Sequence, residues 1–452
     1  MHLAILGGGF SAASTAAAVL PKLEAASSIT IYEPSADLGR GIAYARGPDH
    51  YLLNVAAHTL TLNGADKRAF LNWALETHAD AQSYREDDGA YFFPRHWFGT
   101  YVGMALNDVV VKHPDVAFAH VRELATAVSV LPNGSISVES SRGARAFDKV
   151  VVAIGTAAPR LLPVLAPQGC RSARLVQSAW DFGACQIHRD DAVVIVGSGL
   201  TMADIVADLA ARKHEGPITV VSRRGRLSHV AIGARPEFRP EVDPPTPRTA
   251  RALMRLAREV AAEAIHRGVD WRSAVDYVRQ RTPELWRALS QTERARLMRH
   301  AMPAWETHRY LMPPSSHRRI EAWKAQGRLQ HLRCEVLGIA DGAVRVREEA
   351  SGVRDISADV IVNATGFDRS FEQALAPIEK LLRPLGADLA AARSTGLSVD
   401  DSGRLIGVDP RLFGRVYALG YLARDNHGDL ATANAIVSVA GGIADHVLRG
   451  DA

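Results

Sequence analysis

The sequence predicts an α/β chain made of two parallel-sheet units, the second nested in the first, with a helical insertion in the second. Three observations carry this prediction. HLAILGGGFSAAS, His2 to Ser14, runs from an apolar strand pattern through a glycine cluster into a helix-forming segment. AVVIVGSGLTMAD, Ala192 to Asp204, repeats the device. Strand patterns then return in ISADVIVNATGFD and RVYALGYLARDNHGD, so the first unit is discontinuous. Both copies read as βαβ openings of Rossmann-like dinucleotide-binding domains.

In the first unit the pattern gives a strand Leu3–Leu6, a turn Gly7–Gly9, a helix to about Leu23 and a strand Ile29–Glu33. Gly7, Gly9 and Ala12, with Phe10 and Ser11 between them, fit G-x-G-x-x-A. Gly7 makes the tight turn, Gly9 lets backbone approach a pyrophosphate, and Ala12 allows close helix packing. Glu33 ends the next strand, where a carboxylate accepts hydrogen bonds from ribose hydroxyls; the plainer alternative is a glycine turn and a surface glutamate.

The second unit repeats the order with a strand Val193–Val196, a helix of about Thr201–Lys213 and a strand Ile218–Val221. Its loop is Gly197-Ser198-Gly199-Leu200-Thr201-Met202, with methionine where glycine or alanine is usual, which implies looser packing. Its second strand ends in Ser222, Arg223 and Arg224, not in an acid. A serine and two arginines suit a 2′-phosphate, which points to NADPH; the alternative is a basic solvated turn.

The expected boundaries are 1–158 for the first part of the first domain, 159–362 for the second domain and 363–452 for the return segment. The insertion is expected over 236–325. It opens on the proline-rich RPEFRPEVDPPTP and continues with Leu253, Leu256, Val260 and Ala264 along one helical stripe.

Composition excludes several classes. With 47% apolar residues and no apolar run near ~18 residues, a membrane span is not expected. The opening residues lack a basic leader and are broken by three glycines, so they read as a buried strand and turn. Three cysteines, Cys170, Cys185 and Cys334, form no C-x-x-C pair and no zinc spacing. That argues against a dithiol reductase and fits a cytoplasmic setting. A net charge of +4 with scattered arginines gives no nucleic-acid footprint.

LGRGIAY (Leu38 to Tyr44), YLLNVAA (Tyr51 to Ala57), FPRHWFGTYV (Phe93 to Val102), GSGLTMAD, VSRRG and WETHRYLMPP (Trp305 to Pro314) together resemble the bacterial FAD-NAD(P)-binding family. That family includes flavin-dependent urate hydroxylases and is distantly related to amino-acid N-hydroxylases. The resemblance implies FAD in the first unit and NADPH in the second. By position it implies that Gly39, Arg40 and Gly41 line FAD, that Asn54 lies near the flavin, that Gly155 and Gly366 mark the crossovers between domains, and that Gly420 makes the last FAD contact. Arg95 and Tyr101 either touch FAD or pack. His308 and Arg309, inside the insertion, are placed over the nicotinamide or the substrate, although a helical histidine is as readily structural. After the last flavin-contact strand the chain departs from the aromatic-acid pair of many relatives and reads RDNHGD. His427 and Gly428 there resemble the turn of ornithine-type N-hydroxylases, and Asn426 joins the substrate candidates.

The implied activity is hydroxylation of a small polar nitrogen-containing substrate, a urate-like heterocycle or an amino acid, with molecular oxygen through a C4a-hydroperoxyflavin. Asn54, His58 and His427 are the candidates for handling protons; the plainer reading of His58 is an ordinary loop histidine. A dehydrogenase or oxidase without oxygen transfer, and a flavin-binding regulator, are the rivals.

Overall fold

The computed structural model describes residues 1–155, 162–165, 173–233, 235–340, 342–366, 378–387, 396–424, 427–428 and 432–448. Five parallel strands form the first sheet: β1 (His2–Leu6), β2 (Ser28–Tyr32), β3 (Ala117–Val121), β7 (Lys149–Val152) and β15 (Val416–Ala418), in the order β15-β7-β1-β2-β3. The interior strands are almost wholly apolar because both faces are covered, as parallel sheets require. On one face, α1 (Phe10–Val19) packs against the last helix; α2 (Ala69–Thr77) and α3 (Arg95–Val111) complete that side. Between β3 and β7 the chain forms a three-stranded antiparallel sheet of β4 (Ala127–Val130), β5 (Ile136–Ser140) and β6 (Gly143–Phe147).

The second sheet lies between the β7 and β15 segments in sequence, and this is the nesting that the returning strand patterns predicted. It contains β8 (Arg174–Val176), β9 (Val193–Val196), β10 (Ile218–Ser222), β11 (Leu329–Ala340), β12 (Ala343–Glu348), β13 (Gly352–Ser357) and β14 (Val360–Asn363). The order is β13-β12-β11-β10-β9-β14-β8, parallel from β11 to β8, with β12 and β13 added as an antiparallel hairpin. The helix α4 (Leu200–Ala211) follows its glycine loop. Met202 is fully buried there, in a cluster with Phe182, Ile195, Val206 and Met312, so the unusual third loop position is filled by core and not left loose.

Between β10 and β11 stand α5 (Ala250–His266), α6 (Trp271–Gln280), α7 (Thr282–Arg287), α8 (Gln291–Arg296), α9 (Met302–Arg309) and α10 (Pro314–Ala325). Thr249 caps α5 by accepting from the Ala252 amide at 3.2 Å. Leu256, Val260 and Ala264 bury the predicted stripe against α6, with Leu253 at its edge. The helix α10, grouped with the insertion on sequence, packs on α4 instead and places Ile320 and Trp323 in the core of the second sheet. Periodicity marks a helix but not the layer that receives its apolar face. Among the described residues two α-helices follow β14: α11 (Glu379–Leu382) and α12 (Ala433–Val447), which packs on α1. Among the described residues no helix is long and apolar enough to cross a membrane.

Burial pushes the imidazoles of His58, His78, His214, His331 and His427 below the ordinary histidine value. The unfolded chain therefore takes up protons before the folded one. Their contribution to stability is complete above about pH 6.5 and is lost as the pH falls through the folded values. Thermal denaturation between pH 7.5 and 5.5 is expected to show Tm falling by about 5 °C or more. A flat Tm across that window would contradict the burial of these side chains in neutral form.

Candidate functional site

The two glycine loops are built alike. The Gly7 amide donates to the Tyr32 carbonyl at 2.9 Å, and the Gly197 amide donates to the Val221 carbonyl at 2.9 Å. On the opposite flank the Ala153 amide donates to Leu6 at 2.9 Å, and the Ala364 amide donates to Val196 at 2.8 Å. Each loop is thus drawn against the chain leaving the neighbouring parallel strand. A Cβ on Gly7 (φ 98°) would lie 2.6 Å from the Ala153 oxygen, and one on Gly197 (φ 117°) 2.4 Å from the Ala364 oxygen. Only glycine fits either place.

Past each crossing a helix begins at the cleft. The N-caps, Gly9 for α1 and Gly199 for α4, supply no side-chain cap. The first-turn amides of α1, and those of Leu200 and Thr201 in α4, are left to face a ligand, while the Met202 amide donates to the Gly199 carbonyl at 3.1 Å; the positive helix ends favour phosphate there. Phe10, Ser11, Leu200 and Thr201 line the same cleft. Its volume is 1580 Å³. That exceeds the ~300–1,000 Å³ of a site for one small ligand and leaves room for two dinucleotides meeting end to end.

On the first-domain side the lining includes Gly7, Gly9, Glu33, Arg40, Gly41, Asn54 and Gly155. The Glu33 carboxylate accepts from the Gly8 amide at 2.8 Å and from the Ser35 amide at 2.9 Å, which fixes it beside the loop. Arg40 is held by Asp37 at 3.2 Å and by the Thr100 hydroxyl at 2.9 Å, while the Arg46 and Arg40 guanidiniums lower the Asp37 carboxyl. On the second-domain side the lining includes Gly197, Gly199, Ser222, Arg223, Arg224 and Gly366. The arginines of this turn are exposed, and none of Arg223, Arg224 and Arg226 has an ion pair among the described residues. Ser222 is already engaged: its hydroxyl pairs with His331 Nε2 at 3.0 Å.

Several candidates stand off the cleft. Ala12 is fully buried, in the packing place its motif position implies. Gly39 (φ 86°) donates its amide to the Gly8 carbonyl at 2.7 Å, and a Cβ there would meet the Val102 side chain; it supports the loop from behind. Gly420 (φ 95°) backs onto the Ser11 hydroxyl, and it is Tyr421 that lines the cleft. Tyr101 is buried among Phe70, Trp73 and Phe98, whereas Arg95 does line the cleft.

The histidines fare differently from their neighbours. His58 sits on a single 3-10 turn whose neighbours Asn54 and Thr59 reach the cleft while it does not. His308 bonds the Ala304 carbonyl one turn back at 2.9 Å and packs its ring on His229 and Trp271; Arg309, one residue on, takes the cleft-facing position. His427 is buried behind Gly428, with its imidazole pushed down by burial and held by the Asp400 backbone. Asn426 lies outside the described residues.

The site also contains partners that sequence reasoning missed: Asp204 for Arg95, and the neighbouring group of His50, Asp208 and Arg212. Arg95 Nη2 donates to Asp204 Oδ2 at 2.6 Å and its Nε to the Leu52 carbonyl at 3.0 Å, a cleft-lining ion pair that ties α3 of the first domain to α4 of the second. Beside it His50 meets Asp208 at 3.0 Å, and Arg212 holds the other oxygen of that carboxylate at 2.7 Å. Burial raises Asp208, but His50 and Arg212 prevail and keep it below the usual carboxyl value. The insertion and the return segment close one end of the cleft with Arg279, Met298, Arg299, Glu306, Arg309 and Arg424. Glu306 and Arg309 lie in WETHRYLMPP, from which Arg309 is the expected candidate, whereas Arg279, Met298 and Arg299 belong to no motif.

Two nested dinucleotide-binding sheets facing one cleft define the architecture of the two-dinucleotide-domain flavoproteins. Residues 4–157 match the model of the FAD-NAD(P)-binding family. No curated protein matches. Among solved structures, an ornithine N-hydroxylase from Kutzneria sp. 744 is 17% identical with a TM-score of 0.61, over 99% of this chain and 98% of its own. An L-lysine 6-monooxygenase from Pseudomonas syringae is 18% identical with a TM-score of 0.62, over 99% and 98%. A cadaverine monooxygenase from Erwinia amylovora, with FAD bound, is 14% identical with a TM-score of 0.61, over 99% and 93%. At this identity the likeness is one of fold.

Proposed function

We propose that the chain is an FAD-dependent, NADPH-using monooxygenase that hydroxylates a small nitrogen-containing substrate with molecular oxygen. The observation that carries this reading is the opposite charge at equivalent points of the two units: Glu33 on one side of the cleft, Arg223, Arg224 and Arg226 on the other. A carboxylate suits an unphosphorylated ribose and repels a 2′-phosphate, while guanidiniums bind it. The structural neighbours act on ornithine, lysine and cadaverine, which favours an amine nitrogen over a heterocycle.

In this reading Gly7, Gly9, Ser11, Glu33, Arg40, Gly41 and Asn54 hold FAD, which when bound supplies hydride acceptance and oxygen activation. Gly199, Leu200, Thr201, Arg223 and Arg224 hold NADPH. Gly155 and Gly366 sit where the domains meet, and the Arg95–Asp204 pair fixes the angle at which the two nucleotides face each other. The insertion covers the substrate end and excludes water. His427 acts through the position of the Gly428 turn, not by touching substrate. The reading takes in a cytoplasmic setting and no nucleic-acid or membrane partner.

The test is a screen of amines and amino acids that follows NADPH oxidation together with product mass. A product heavier by one oxygen, formed in proportion to NADPH, is the expected result. NADPH oxidation yielding only hydrogen peroxide with every compound would favour an oxidase instead.

A further inference from the structure

Ser222, the neutral member of the second-domain turn, reaches the cleft already bonded to a titratable ring. β10 and β11 run parallel, with Val220 opposite His331 and Ser222 opposite Arg333. Side chains alternate along a strand, so Val220, Ser222 and His331 share one face of the sheet. That face is the one α10 covers, since Val220 and Ile320 lie in one apolar cluster. Ser222 ends its strand at the cleft, and its hydroxyl meets His331 Nε2 at 3.0 Å. Among the described residues this is the one hydrogen bond of the His331 ring. The charged groups that act on it are Glu321 and Lys324, both on α10 and paired with each other at 2.9 Å. Burial and Lys324 hold the imidazole below its ordinary value against the pull of Glu321, so the ring of the free protein is neutral at pH 7.

A neutral imidazole can take either side of this bond. If Nε2 accepts, the serine hydrogen is committed to the ring, and the turn presents oxygen lone pairs that repel a phosphate oxygen. If Nε2 carries the hydrogen and donates, the hydroxyl is free to turn its own hydrogen to a ligand. A protonated ring permits only the second arrangement, and it sets a positive charge behind the serine. We propose that His331 is a positioning residue for the 2′-phosphate of NADPH: it donates from Nε2 to Ser222, frees the serine hydroxyl to bond the phosphate, and takes up a proton from water on Nδ1 as the dianion binds. NADH places no anion at Ser222, so the gain belongs to the phosphorylated nucleotide alone. His331 thereby raises NADPH affinity as the pH falls from 8 to 6.5 and leaves NADH affinity unchanged. The inference rests on the reading of this turn as the 2′-phosphate site, and it adds to Arg223 and Arg224 a residue that touches no ligand and lies 109 residues from Ser222.

The experiment is fluorescence titration of the FAD-loaded protein with NADPH and with NADH at pH 8 and pH 6.5, at constant ionic strength. The proteins are wild type, His331→Gln, His331→Leu, Ser222→Ala and the double variant of Ser222→Ala with His331→Leu, each checked by circular dichroism. His331→Leu removes the donor and is expected to weaken NADPH about three- to tenfold at pH 6.5, and NADH by less than about twofold. His331→Gln keeps an N–H donor that does not titrate. It should hold NADPH within about twofold of wild type at pH 8, and wild type should gain about threefold on it toward pH 6.5. In the Ser222→Ala background His331→Leu should cost less than about twofold more, since His331 acts through that hydroxyl. The second ionisation of the phosphate itself, with a pKa of about 6, is common to all the proteins and cancels in the comparison. Equal losses of the two nucleotides in His331→Leu, the same pH slope in wild type and His331→Gln, or an undiminished effect of His331→Leu without the Ser222 hydroxyl would each overturn the proposal. Should His331→Leu fail to fold, the pH slopes of wild type and His331→Gln decide the matter alone. Wild-type protein that holds NADPH no tighter than NADH at either pH fails the underlying reading of the turn instead, and the proposal with it.

Discussion

Replacing Arg223 and Arg224 together by alanine is expected to weaken NADPH binding about 30- to 100-fold while NADH changes by no more than about threefold. Two charge-assisted contacts to one phosphate, discounted for their exposure, supply about 2–3 kcal/mol, and 1.4 kcal/mol is a factor of ten. The loss is specific because NADH lacks the 2′-phosphate, so the guanidiniums have nothing equivalent to grip. Arg226, on the same turn and on the cleft wall, keeps the loss from being total. Fluorescence titration with both nucleotides checks this. Equal losses for the two would mean that the turn serves folding or the pyrophosphate, and that the preference for NADPH was misassigned.

The second large effect separates the two loops. Gly7→Val is expected to yield protein without flavin colour, and Gly197→Val to yield yellow protein that NADPH no longer reduces. Each substitution drives a side chain into the carbonyl that ends the neighbouring strand, at Ala153 or Ala364, and forces a positive φ that costs a β-branched residue about 1–2 kcal/mol by itself. The loop must then move off the crossing, and the phosphate-facing amides move with it. Flavin affinity in the first variant and NADPH affinity in the second should fall by more than about 100-fold. Gly143→Ala is the control for conformational cost alone, since Gly143 has φ 112° with nothing within 4 Å. It should lose some stability and neither nucleotide.

Much of this was legible in the sequence because local patterns carry it. Strand, glycine turn and helix follow one another within about fifteen residues in each unit, and the second strands end in unlike charges at Glu33 and at Ser222 to Arg224. The nesting followed from strand patterns that resumed after the second loop. What stayed hidden depends on contacts between distant segments. Arg95 and Asp204, 109 residues apart, meet only because α3 and α4 line the same cleft. His308 and Arg309 are sequence neighbours, yet one packs on Trp271 and the other faces the ligand, since a helix turns about 100° per residue. The same limitation assigned α10 to the insertion, although Ile320 and Trp323 face the second sheet. Met202 departs from the motif but not from the packing, because a flexible thioether fills a core that a smaller residue would leave open.

The wild-type arm of the glycine-loop experiment is the most direct test. Purified protein loaded with FAD is mixed with NADPH in the absence of oxygen, and the visible flavin band is followed in a stopped-flow spectrometer. The band should bleach fully with one equivalent of NADPH, and more slowly at equal concentrations of NADH, because hydride passes between two nucleotides held face to face in the one cleft. Flavin that binds and stays oxidised under excess NADPH would contradict the arrangement, whatever the substrate proves to be.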